Sequence, residues 1–230
     1  MTQETKADEQ MELGEVPAAK LDGPRMIARV NAAAIKMVYP FMATHDVRYY
    51  LCGVNLRPLE DGGVMIVATN GHRYIVVRDP HGYAEQELIV SISKDSLKHM
   101  SSNKHSIDVM SGGSTMVSGP VAEQLFIQPG NSIVEAQYPR IERFASTIGY
   151  KEGISGAVNP AYLNDALVIA KNFGGSIRFF TRDNDSPLTF VLGGIGDLEC
   201  FGGIMKMRDS FEQLPAWFPA PGEVTNLGEV

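Results

Sequence analysis

Cysteine and tryptophan are scarce in this chain: two cysteines and one tryptophan in 230 residues. Cys52 and Cys200 sit in apolar, strand-like settings, and no CxxC or Cys/His metal spacing occurs. A disulfide scaffold and a zinc module are thereby excluded, and both cysteines read as buried free thiols of a cytoplasmic protein. No apolar run approaches the ~20 residues that span a bilayer, so no membrane partner is expected. The opening MTQETKADEQMELGEV is acidic and polar and does not read as a signal peptide. HExxH, GxSxG, a Walker loop and paired carboxylates are all missing. The GGSIR and GGIGD stretches read as turns between strands, not phosphate loops. No metal and no cofactor are expected.

Basic residues are rare at the two ends. Residues 1–24 hold six acids against two bases, and 209–230 hold four acids and no base. The net charge of −7 therefore belongs to the ends, because residues 25–208 hold seventeen acids and eighteen bases. A near-neutral centre can still carry a basic face. Residues 1–24 lack hydrophobic periodicity and are expected to be a flexible acidic segment. The proline-rich tail, 209–230, is not expected to form regular structure.

Between the ends lies a repeat. VNAAAI begins at Val30, ISKDSL at Ile92 and VNPAYL at Val158. Each reads as a β-branched strand end, a helix-capping Asn or Ser, and an aliphatic residue that opens a buried stripe. Pro160 suits the first position of its helix. Three strand-like runs follow each copy, starting with YYLCGVNL, VMIVAT and YIVVRD after the first. The reading is an α+β chain of three β-α-β-β-β units. Within VMIVATNGHRYIVV, Asn70-Gly71 between apolar runs predicts a tight hairpin with those two residues at its centre, placing His72 and Arg73 at the tip.

DVRYYLCGV, ATNGHRY, AQYPRIERF and the late GGIMKMR together resemble the bacterial sliding clamp family, the β subunit of DNA polymerase III. The likeness covers about residues 25–208. It implies a DNA-clamp fold with a complete domain at 25–147, similar to the clamp's middle domain, and a half domain at 148–208. A clamp ring in that family holds twelve such units, so a three-unit chain, of the kind a phage or plasmid carries, would need four copies. A homo-oligomer, tetramer favoured, is the implied assembly, and edge strands left by the half domain argue the same way.

The resemblance further implies an apolar pocket for partner peptides of DNA polymerase and other clamp-binding proteins. Its walls would be Leu51, Thr69, Gly71, His72, Arg73 and Tyr74, then Pro139, Arg143 and Phe144, then Ile204, Met205, Met207 and Arg208. Two departures stand out: Lys206 replaces a proline usual between the two methionines, and Asp209 follows where the family ends in an apolar residue. In the tail, EQLPAWF is similar to the clamp-binding motif itself, with Gln213, Leu214, Trp217 and Phe218 as anchors. That motif would dock in its own pocket, a neighbour's or a host clamp, or simply pack on the core.

A clamp contacts double-stranded DNA weakly and without sequence preference, through cations facing phosphates. The candidates are Arg29 and Lys36 on the first helix, Lys94, Lys98 and Lys104 on or after the second, and Lys171 at the end of the third. Two rivals remain. An enzyme would have to rest on His45, Asp46 and His72. A clamp-like interaction protein would recruit or compete for clamp partners without forming a ring.

Overall fold

A computed structural model describes residues 23–100, 104–121, 123–143, 151–152, 156–173, 175–183 and 185–207. The first unit comprises β1 (Met26–Asn31), α1 (Ala32–Val38), β2 (Val54–Pro58), β3 (Val64–Thr69), β4 (Arg73–Asp79) and the short β5 (Tyr83–Ala84). The second comprises β6 (Leu88–Val90), α2 (Lys94–His99), β7 (Ser106–Met110), β8 (Thr115–Ser118) and β9 (Gln124–Gln128). The third comprises β10 (Lys151–Glu152), α3 (Pro160–Asn172), β11 (Ser176–Thr181), β12 (Leu188–Gly193) and β13 (Glu199–Ile204).

The helices start where the repeat places them. The Asn31 side chain accepts from the Ala33 N–H, Ser93 from Ser96 and Asn159 from Ala161. Each cap satisfies a donor that the first turn cannot, worth about 1 kcal/mol. One strand-like run is read differently by the chain. Tyr49–Cys52 is a 3-10 turn, and the strand begins only at Val54. A short apolar run does not distinguish the two by periodicity.

The strands form two antiparallel sheets, one in the order β5-β1-β7-β8-β9 and one in the order β10-β11-β12-β13-β4-β3-β2-β6. The eight-stranded sheet joins the first and third units, because β13 pairs with β4 from Ile204–Arg73 to Glu199–Arg78. Its central strands β3 and β4 are covered on both faces. Ile66, Ala68, Ile75 and Val77 share the helix-side core with Ile35, Met37, Ile169 and Phe190. The alternate residues Val67, Tyr74 and Val76 face a second cluster around Tyr138 and Ile141. Period-two alternation sends neighbouring side chains to opposite faces, so β3 and β4 read as continuous apolar runs.

Candidate functional site

The β3–β4 turn is built by side-chain bonds. Asn70 Oδ1 accepts from the His72 and Arg73 N–H groups, while Thr69 Oγ1 accepts from the Gly71 N–H and donates to the Arg73 carbonyl. The Asn70 N–H donates to the Arg73 carbonyl at 3.4 Å, so the central pair is Gly71-His72 and not Asn70-Gly71. Gly71 takes φ +87°, the left-handed conformation that glycine tolerates at the first central position of such a turn. The Asn70 carboxamide acts as a turn acceptor, which moves the turn one residue on.

Beside this turn lies a cavity of about 220 Å3. Leu51 and Tyr50 come from the 3-10 turn, Thr69, Gly71, Arg73 and Tyr74 from the hairpin, Pro139 and Ile141 from the segment crossing the sheet, and Met205 from the end of β13. Three distant parts of the sequence thus meet at one small, mostly apolar site. Tyr138 anchors the crossing segment: its ring is buried and its hydroxyl accepts from the Thr69 N–H at 3.1 Å. Burial pushes its phenol well above the ordinary value, so the hydroxyl stays protonated. Arg57 holds the same segment, donating to the Pro139 carbonyl at 3.1 Å and to Glu142 at 2.7 Å.

The rim is charged. Arg48 forks onto Asp46, with Nη2 to Oδ2 at 2.7 Å and Nε to Oδ1 at 3.0 Å. Those side-chain bonds, and the Arg48 N–H on the same carboxylate, lower the Asp46 carboxyl to about 2. The Arg48 guanidinium lies over Gly71, where a Cβ would stand 3.2 Å from it. Arg48, Tyr50 and Ile141 were not among the wall residues read from the sequence. The Asp46-x-Arg48 spacing, which favours an Asx turn, was the available signal for the first of them.

Arg73 lines this cavity, and its guanidinium turns toward the third unit. It bonds Asp165 on α3 and the Pro40 carbonyl, and lies 5.1 Å from the Phe41 ring centroid and 4.6 Å from that of Tyr162. His72 is exposed and lies near-parallel to the Tyr162 ring, at 13° and 6.2 Å. It lines a second, larger cavity of about 850 Å3 together with His45, Asp46, Arg48 and Lys94. Asp46 is held there by Arg48, and among the described residues no cluster of His, Cys, Asp or Glu suits a metal ion.

Several wall candidates stand elsewhere. Ile204 is fully buried in the helix-side core, because strand alternation turns it away from the pocket face. Arg143 is exposed at the end of the 3-10 turn Ile141–Arg143, and Met207 is exposed with its N–H on the Ala157 carbonyl. Phe144, Arg208 and the tail anchors Gln213, Leu214, Trp217 and Phe218 lie outside the described residues, as does the segment 1–22. Cys200 is buried and its thiol is pushed up by burial, whereas Cys52 is only half-buried.

The cation candidates divide. Arg29 is on strand β1, not on the first helix, and pairs with Asp108 at 2.6 Å, because the strand runs through to the cap at Asn31. Lys36, Lys98 and Lys171 are exposed on α1, α2 and α3, with Lys98 bonded to Asp95 at 2.6 Å. Lys94 opens α2 beside the larger cavity, and Lys104 is exposed just before β7. Among the described residues no helix is long and apolar enough to cross a membrane.

No protein-family model matches the sequence, and no curated protein matches it. Solved structures do match. A DNA polymerase sliding clamp from Pseudomonas aeruginosa is similar with a TM-score of 0.62 and 18% identity, over 84% of this chain and 70% of that one. The Caulobacter crescentus polymerase III β subunit is similar at 0.60 and 15%, over 86% and 70%. The Helicobacter pylori β clamp, solved with diflunisal, is similar at 0.60 and 11%, over 80% and 67%. At such identities the likeness is one of fold, and the fold of this chain is that of the bacterial DNA polymerase III β sliding clamps.

Proposed function

We propose that the protein is a sliding clamp, a non-catalytic processivity and recruitment factor for DNA replication. In this reading it assembles into a ring around double-stranded DNA and captures short peptide motifs of DNA polymerase and other clamp-binding proteins. The observation that supports it best is the 220 Å3 cavity, lined by segments from all three parts of the sequence that resemble the clamp pocket. Apolar walls with a methionine and an arginine at the rim suit a leucine or aromatic anchor flanked by polar groups. The P. aeruginosa clamp has been solved bound to griselimycin, so ligand capture occurs in proteins of this fold.

The test is calorimetric titration of the full chain with a synthetic peptide carrying the Gln-Leu and terminal aromatic pattern. Saturable binding is expected, weakened at least about tenfold by Met205→Asp, whose side chain lines the cavity and is 38% exposed. Absence of binding, or binding indifferent to that substitution, would remove the reading. A second reading, a clamp-like interaction protein that does not encircle DNA, is favoured by one observation. The ion pair of Arg29 and the single exposed lysine of α1 leave a thin cationic surface for a phosphate backbone.

A further inference from the structure

Strand β2 reads VNLRP. Alternation sends Val54 and Leu56 into the helix-side core and turns Asn55 and Arg57 to the opposite face. Their partners across the ladder are Val67 and Met65 of β3, and Val67, Tyr74 and Val76 make that face apolar against Tyr138 and Ile141. Arg57 is buried there, with its side chain 7% exposed. A guanidinium so dry needs a partner for each donor nitrogen. Nε donates to Asn55 Oδ1 at 2.6 Å and to Glu87 at 3.0 Å, Nη1 to Glu142 at 2.7 Å and Nη2 to the Pro139 carbonyl at 3.1 Å.

Two of these partners belong to the segment 133–143 that crosses the sheet, and the same segment carries Pro139 and Ile141 into the wall of the smaller cavity. Arg140 pairs with Glu87 at 3.2 Å, so Arg57, Glu87, Arg140 and Glu142 form one chain of charges that ties the segment to β2 and to the residue before β6. Further upstream the segment is held through its backbone. The Val134 N–H donates to the Ile89 carbonyl at 2.8 Å, and the Glu135 carbonyl accepts from the Tyr49 hydroxyl at 3.2 Å. Between the segment and β6 lies a cavity of about 420 Å3, bounded by Ile89, Val134 and Gln137 among others. Close packing on β6 therefore does not seat the middle of the segment, and the bonds at its far end decide where Pro139 and Ile141 stand.

We propose that Arg57 is a positioning residue for peptide capture: through the Pro139 carbonyl and Glu142 it fixes one wall of the 220 Å3 cavity, which it does not itself line. The inference rests on the reading of that cavity as a peptide pocket. The two bonds bracket Ile141, one on residue 139 and one on residue 142. Because the guanidinium is planar and rigid, two donors fix the orientation of the segment as well as its distance from β2. On the other side Tyr138 pins the segment to β3 through the Thr69 N–H. The wall thus stands between two anchors. A wall displaced by about 0.5–1 Å forfeits roughly a quarter to a half of its dispersion attraction to a bound side chain.

Loss of the guanidinium should leave the chain folded. The Glu142 side chain is 60% exposed and that of Glu87 35%, and Glu87 keeps Arg140, so neither carboxylate is stranded in a dry interior. Glutamine at position 57 is shorter and has no fork, so it cannot hold Asn55 and the crossing segment together. Lysine keeps the charge and also lacks the fork.

The experiment uses the full 230-residue chain. Wild type, Arg57→Gln, Arg57→Lys, Glu142→Gln and the Arg57→Gln, Glu142→Gln double variant are titrated with the synthetic peptide described above. In parallel, amide hydrogen exchange is followed at Thr69, which reports the seating of Tyr138, and along β7 in the other sheet as a control. In Arg57→Gln, exchange at Thr69 should quicken at least about tenfold while β7 is unchanged. Peptide affinity should fall at least about tenfold, and lysine should not restore it. Glu142→Gln alone should weaken binding about threefold and add nothing in the Arg57→Gln background, as expected of one network. Unchanged exchange at Thr69 overturns the proposal, as does faster exchange with undiminished peptide affinity or full rescue by lysine. Equal acceleration in β7 overturns it too, since Arg57 would then serve general stability and not the wall. Should Arg57→Gln fail to fold, Glu142→Gln decides, and no effect on either readout overturns the proposal. A wild type that binds no peptide removes the peptide reading, and the seating of the wall then stands or falls on Thr69 exchange alone.

Discussion

Arg73 is a side chain whose neighbours decide its task. Its side chain is 10% exposed, bonded to Asp165, and held between the Phe41 and Tyr162 rings. A guanidinium that dry persists only through its partners. Arg73→Met removes the cation–π contacts and leaves the Asp165 carboxylate uncompensated, at an expected cost of about 2–4 kcal/mol in chemical denaturation. Lysine would not restore both stacked faces. A loss under about 0.5 kcal/mol would identify the pair as an ordinary solvent-screened contact. Asp46 offers a test by pH. Its carboxyl is held at about 2 by Arg48, below its unfolded value, so the contact is complete above the ordinary carboxylate range and is lost as pH falls through about 2. A carbon-13 titration of the Asp46 carboxyl should give that midpoint, and one near ~3.9 would mean that the rim fork does not form. The sequence brought Arg73 into view through its hairpin. It could not reveal Asp165, which lies 92 residues on and in another unit.

Among the elements, β13 does most to shape the site, through what it lacks. Gly202 and Gly203 pair with Ile75 and Tyr74 of β4. A Cβ on Gly203 would stand 2.5 Å from the Tyr74 ring, and one on Gly202 2.3 Å from the Phe190 ring. The missing side chains let Tyr74 lie flat against the neighbouring strand and serve as a pocket wall. Gly203→Ala should therefore displace that ring, weaken peptide binding about tenfold and cost about 1–3 kcal/mol, as overpacking does. Gly193→Ala, near the edge of the same sheet with only the Ser176 hydroxyl close by at 3.3 Å, is the control and should change binding little. If both variants bind equally well, the ring is not positioned by β13. Helix starts were legible at this scale, since a cap and its first turn are local chemistry, and all three repeats placed them. The β4–β13 junction was not, because edge-to-edge pairing of two apolar strands leaves no periodic mark in either. The 3-10 turn at Tyr49–Cys52 was misread as strand for a related reason: its four residues are too few for a period to emerge.

For the whole molecule, weak electrostatics and topology make opposite demands on DNA retention. Lys36, Lys98 and Lys171 are exposed on three helices, and Lys98 already bonds Asp95. In the proposed ring so few phosphate contacts would give a weak affinity, lost at modest salt because there is little of it, with a shallow salt slope since each contact releases about one counterion. A closed ring needs no such affinity to stay on DNA, since only an end or a break lets it leave. Subunits dissociated by dilution, mixed with nicked circular duplex, concentrated to assemble and then raised to high salt should remain with the circle. Cutting the circle with a restriction enzyme should release them without any change in salt. Charge reversal at Lys36 and Lys171 should weaken the low-salt association and leave the high-salt, circle-dependent fraction nearly unchanged. Equal release from circular and linear DNA on adding salt would mean that the protein touches DNA without enclosing it, and the pocket would then serve a clamp-like interaction protein.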